Sequence, residues 1–228
     1  MLAPELANPF FRLSPAAARR AQFGIAARAL LVNGLVAGIG YLVWPALLLL
    51  WPLAAGLTLT VVAPFFDVPS LVRRGKLVYY SPFLLAEPPS GGRMKLHGGT
   101  LFDYYFTLDR RQPPALRTRF VLAGYLRGLM TLLETQPDEL VVEGTSYIVG
   151  PRTAARLGFT RRPTRAGQYI ILLFNVLNLS CSLRLLRGRW KLADLRRVRT
   201  YEASVGALRA RQDLLRALLG RLEGNAEE

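Results

Sequence analysis

The stretch Lys95 to Phe106, KLHGGTLFDYYF, sets the chain's single histidine beside a glycine pair and six residues ahead of an aspartate. An imidazole is the side chain best suited to accept a proton near neutral pH, and a carboxylate can hold it in one tautomer. On an uninterrupted strand His97 and Asp103 point to the same face, and Gly98-Gly99 permits close backbone approach to a substrate. A bulge at the glycines shifts that phase, and the same residues then read as architecture. A second polar cluster, EGTSYI, carries Glu143, Thr145, Ser146 and Tyr147, which can face His97 across a sheet or serve as ordinary turn chemistry. The candidate catalytic residues are therefore His97, Asp103, Glu143 and Tyr147. One histidine, one cysteine and scattered carboxylates form no recognisable metal-ligand set.

The elements that must hold these residues follow from hydropathy and turn signals. KLVYYSPFLLAEP reads as one extended segment interrupted at Pro82, with RMKLHGGTLFDYYFTL as its antiparallel partner across the Pro88 to Gly92 turn. Pro113-Pro114 opens a helix to about Thr135, with Phe120, Leu122, Leu126, Leu129, Met130 and Leu133 at helical spacing. A short strand near Leu140 to Val142, a turn at Gly144 and a helix from Pro151 to Gly158 come next. This alternation predicts an α/β or α+β domain with a mixed sheet. Tyr201 to Leu222 reads as one amphipathic helix, and EGNAEE as an acidic tail.

From Ala29 through Phe66 no residue is charged, a run of 38 positions. As one helix it would reach about 57 Å, nearly twice the roughly 30 Å hydrocarbon core, so two spans are expected. Trp44-Pro45 and Trp51-Pro52 supply the interruption and the interfacial aromatics of a hairpin. Spans at about Ile25 to Val43 and Ala46 to Phe66 follow. Arg12, Arg19, Arg20 and Arg28 precede the first span, Arg73, Arg74 and Lys76 follow the second, and the turn is uncharged. Both termini are thus expected in the cytoplasm, at the inner face of a bacterial membrane. The organisation becomes a cytoplasmic segment over 1–24, a transmembrane hairpin over 25–66, an α/β domain over 67–200, and a C-terminal helix and tail over 201–228. Gly34 and Gly38 make a GxxxG, extended by Gly40, that can pack on the hairpin partner or on a second helix. Ala166 to Leu183, uncharged but containing Gln168, Asn175, Asn178 and two serines, fits either a core helix or a segment at the membrane surface.

The net charge is +15, carried by 27 arginines and three lysines. Anionic lipid headgroups are its expected partner; nucleic acid is not expected, because aromatic residues such as Tyr104, Tyr105 and Phe106 more often fill a core. Cys181, the single cysteine, excludes an internal disulfide and sits among residues that suit a buried thiol.

LVVEGTSYIVGPRTAARLGF resembles the C-terminal half of GNAT-type acyltransferases, in which a strand is followed by a helix ending in a basic residue, an aliphatic, Gly and Phe. Here those are Arg156, Leu157, Gly158 and Phe159, and the resemblance covers about residues 101–159. It implies a GNAT-like core with acyl-CoA as cofactor; Arg117 and Arg119 are then the candidate cofactor-binding residues, and the His97 and Asp103 pair read above would supply the acid-base groups. The family's glycine-rich, anion-holding turn would fall at RRQPPALRTRFVLAGYLRG, which has the arginines but carries Gly124 and Gly128 inside the helix. Ala154 stands where the family often has a tyrosine acid. Two functions remain open: a non-catalytic adaptor or scaffold on the membrane, for which a membrane protein is a candidate partner, or an acyl-CoA-dependent acyltransferase.

Overall fold

The structure is a computed structural model and describes residues 8–146, 149–164 and 166–224. Its first long element is α1 (Pro15–Val43), started by the Ser14 hydroxyl, which accepts from the Ala17 amide at 3.3 Å. Helix-start chemistry at Ser14-Pro15 thus begins this helix ten residues before the span expected from Ile25. A 3₁₀ turn over Pro45–Leu50 leads into α2 (Trp51–Val62), and Pro64 restarts the chain as α3 (Pro64–Arg73). The segment expected as one helix from Ala46 to Phe66 is therefore divided, because each proline removes a backbone donor from the ladder. Pro15–Val43 and Pro45–Val62 are long and apolar enough to cross a membrane, and none of their most apolar stretch is buried.

Gly34 and Gly38 have nothing within 4 Å of where a Cβ would stand, and only Gly40 meets the partner segment, at Leu47. Among the described residues, the expected packing of these glycines on the partner segment is thus confined to Gly40.

Six strands form one mixed sheet: β1 (Val78–Ser81), β2 (Leu84–Ala86), β3 (Arg93–Gly98), β4 (Val141–Ser146), β5 (Thr160–Arg162) and β6 (Arg199–Ser204). Their order is β1-β2-β3-β4-β6-β5, with β3 and β4 parallel and every other neighbour antiparallel. The segment around Pro82 is a hairpin of two strands rather than one extended run. The Ser81 hydroxyl accepts from the amides of Phe83 and Leu84 and closes the turn that Pro82 initiates.

The remaining helices are α4 (Leu101–Thr107), α5 (Pro114–Thr135), α6 (Pro151–Leu157), α7 (Ala166–Phe174), α8 (Val176–Arg187), α9 (Val205–Arg209) and α10 (Gln212–Gly224). One sheet face, with Tyr80, Leu84, Ala86, Met94, Val142 and Ala203, packs on Leu126, Leu132, Leu133, Leu208 and Leu215 of α5, α9 and α10. On the opposite face, at the β1-β2 end, Tyr79 and Leu85 meet Phe10, Phe65, Val68, Leu101 and Phe102.

Three expectations change. Gly144 lies inside β4 rather than in a turn, with Leu96 3.5 Å from its would-be Cβ. Tyr201 belongs to β6, whose alternation over RTYEAS pairs with β4, and the Ser204 hydroxyl then caps α9 by accepting from the Ala207 amide. The uncharged run from Ala166 is two helices meeting at Asn175, whose side-chain amide donates to the Ile171 carbonyl.

Candidate functional site

His97 and Asp103 do not share a strand. β3 ends at Gly98, and Thr100 caps a new helix in which Asp103 is the third residue. The Asp103 carboxylate accepts from the Thr100 amide at 2.7 Å, completing a capping box. It also accepts from the Thr100 hydroxyl at 2.9 Å, the Tyr79 hydroxyl at 2.5 Å and the Asn8 side-chain amide at 3.1 Å. Asp103 and Asn8 are both 0% exposed, so this network lies inside the molecule. It ties the start of the chain, the first strand and the start of α4 together.

Burial pushes the Asp103 carboxyl above its ordinary range, against the pull of its four donors. Burial and the neighbouring carboxylate hold Tyr79 far above its usual value, so its phenol stays a donor. A carboxyl whose folded pKa exceeds its unfolded one contributes its full stability only below the unfolded range, near about pH 4, and loses it as pH rises towards the folded value. Urea unfolding between about pH 4 and 7 should therefore show the wild type losing stability relative to Asp103→Asn as pH increases. Parallel pH profiles would sink this assignment.

His97 lies on the open part of the sheet, with its Nε2 3.0 Å from Glu87 Oε1, and Lys95 reaches the same carboxylate at 3.4 Å. Partial burial pushes Glu87 up, but His97 and then Lys95 outweigh it and hold the carboxyl below its usual value. Both His97 and Glu87 are more than 40% exposed in their side chains, so the pair is solvent-screened. His97→Ala should change unfolding free energy by no more than about 0.5 kcal/mol; a loss several times larger would show that His97 has a partner besides Glu87.

Glu143 belongs to a neighbouring ionic lattice. Arg93 bridges Glu143 at 3.1 Å and Glu202 at 2.8 Å, and Arg162 reaches Glu202 at 2.6 Å. Arg93, with Arg162 second, holds the Glu202 carboxyl below its normal range. Tyr147 lies outside the described residues. Arg117 is buried beneath α8, where its guanidinium donates to the Leu185 carbonyl near that helix's C-terminal end. Arg119 donates to the Leu222 carbonyl at 3.0 Å and so joins α5 to α10.

The glycines have packing roles. A Cβ on Gly98 would stand 2.6 Å from the Tyr125 hydroxyl, and one on Gly99 3.3 Å from the Phe83 Cα. On α5, a Cβ at Gly124 would meet the Phe83 ring at 2.6 Å, and one at Gly128 would meet Leu84 and Ser81 at 2.8 Å. The residues too far into the helix to cradle an anion let α5 lie against the β1-β2 turn.

One feature is visible only in the fold. β3 and β4 pair from Arg93 with Val141 as far as Leu96 with Gly144, and the ladder stops there. His97 and Gly98 continue against β2, while Thr145 and Ser146 continue against β6. His97 would face Thr145 if the ladder ran on, so the sheet parts at the C-terminal ends of its two parallel strands. Open α/β sheets place ligands at such ends. The Thr145 hydroxyl lies 3.1 Å from that of Thr200, which donates to Thr164 at 3.1 Å. No sequence signal marks the parting, because it depends on which strands are neighbours.

Comparison of the chain with family models, with curated proteins and with solved structures gives no match in any of the three. What the fold defines is a mixed α/β protein with a six-stranded mixed sheet and two long apolar N-terminal helices.

Proposed function

We propose that the chain is an integral membrane protein whose α/β domain acts as a non-catalytic adaptor or scaffold at the inner face of a bacterial membrane. The observation that carries the anchoring is the exposure of large apolar side chains along both N-terminal helices, such as Leu30 at 74%, Leu42 at 82% and Leu49 at 83%. Side chains of that kind, left in water, would form an apolar patch far larger than a soluble monomer tolerates. Arg12, Arg19, Arg20 and Arg28 before the helices and Arg73, Arg74 and Lys76 after them favour a hairpin with both ends in the cytoplasm. Arg19 and Arg73 also line a groove of about 360 Å³ with Phe10 and Phe11, where an anionic headgroup would find charge beside apolar surface.

The adaptor reading is supported by where the polar residues spend their hydrogen bonds. Asp103 is closed inside the fold, Glu143 is held by Arg93, and Arg117 and Arg119 bond backbone carbonyls. A strain lacking the protein should be complemented by His97→Ala as well as by wild type; failure of a stably folded variant would count against this reading.

The parting of β3 and β4 favours a second reading, a GNAT-like acyltransferase that binds acyl-CoA between those strand ends with His97 at the mouth. Calorimetric titration of the purified protein with an acyl-CoA separates the two. Saturable heat supports the enzyme, and no heat at millimolar ester leaves the adaptor.

A further inference from the structure

Helix α7 carries a run of exposed apolar side chains. Ile170, Ile171, Leu173 and Phe174 are 57%, 61%, 61% and 67% exposed and fall on one side of the helix, with Leu172 turned the other way and partly buried. Two further exposed apolar side chains lie on a loop close to it in the chain. Trp190 and Leu192, 66% and 69% exposed, lie on the loop after α8, which the Ala193 amide fastens to α8 by donating to the Ser180 hydroxyl at 3.1 Å. α7 packs against α8 and against the turn Leu195–Arg197 that follows this loop.

The position of this surface says what covers it. The side-chain amide of Asn178, in the first turn of α8, reaches the carbonyl of Thr60 in the last turn of α2 at 3.5 Å. Phe174 lies four residues before this contact, across the break at Asn175, and α8 itself packs against α2, an apolar helix read above as spanning the bilayer. The adjoining chain is basic, with Arg161, Arg162, Arg184, Arg187, Arg189 and Lys191 flanking the apolar residues. Exposed apolar side chains, a tryptophan suited to an interface and arginines nearby in the chain match the boundary between acyl chains and phosphate headgroups. We infer that α7, with Trp190 and Leu192, is an in-plane membrane element that dips into the cytoplasmic leaflet beside the hairpin and seats the sheet domain against the bilayer.

This rests on the membrane reading of α1 and α2, and the test separates the two. Full-length protein with Cys181→Ser is placed in phosphatidylcholine–phosphatidylglycerol vesicles with one nitroxide at Ile171→Cys or, separately, at Phe174→Cys. Leu35→Cys in α1 and Arg216→Cys in α10 serve as deep and aqueous references. Both α7 labels should be relaxed by oxygen and shielded from a water-soluble nickel complex, at a depth shallower than Leu35. Nickel access like that at Arg216 would overturn the inference while the hairpin stands. Shielding from both reagents would overturn it too, because a protein surface would then be the cover. Nickel access at Leu35 itself would remove the hairpin reading, and the inference with it.

Discussion

Asp103→Ala is expected to lower the unfolding free energy by about 3–5 kcal/mol, comparable with breaking a buried ion pair by removing one partner. The carboxylate accepts four hydrogen bonds in a site from which water is excluded. Its loss strands the Tyr79 hydroxyl, the Asn8 amide and the Thr100 amide, and an unsatisfied buried donor costs about 1–3 kcal/mol. Against a typical total of about 5–15 kcal/mol this is severe. Asn8→Ala removes one donor to Asp103 and the acceptor of the Phe10 amide, and should cost about 1–3 kcal/mol. Urea unfolding in detergent measures both, and an Asp103→Ala midpoint equal to wild type would show that the network contributes nothing.

Gly128→Val should be nearly as damaging. Its Cβ would meet the Leu84 Cβ and the Ser81 hydroxyl at 2.8 Å, and Ser81 is itself held by closing the β1-β2 turn. Neither neighbour is the loose end of a long side chain, so α5 must move away from the sheet. Overpacking of this kind costs about 1–3 kcal/mol, and the same displacement disturbs the Gly124 contact with Phe83. Gly34→Val in α1 is the control, since nothing lies within 4 Å there. Equal losses at Gly128 and Gly34 would place the cost in backbone propensity rather than in close approach.

The sequence made some of this visible and hid the rest for identifiable reasons. The uncharged run and its tryptophan-proline pairs announced two long apolar helices because their signal is local and strong. The helix from Pro114 and the amphipathic side with Val205, Leu208 and Leu215 were readable by period, and these residues are 0–1% exposed. Asp103 was misplaced because aromatic residues 104–106 look like strand. A competing signal was present: Thr100 and Asp103 have the spacing of a capping box, which starts a helix at Leu101. β6 was hidden because its six residues run straight into a capped helix, so one amphipathic reading covered both. The parting of β3 and β4 was beyond reach, as it arises from strand adjacency and not from any residue type.

The same distinction applies to KLHGGTLFDYYF as a site. The fold divides it into a strand end bearing His97, a glycine pair closed over by Phe83 and Tyr125, and a helix start sealed by Asp103. His97, beside the parted strands, remains open to solvent, as does Lys95.

The membrane hairpin is the centre of the account, and a pair of topology reporters tests it most directly. A reporter fused after Leu222 should behave as cytoplasmic, and one inserted between Trp44 and Trp51 should behave as external. A cytoplasmic reporter at the Trp44 to Trp51 turn, or an external one after Leu222, would contradict it.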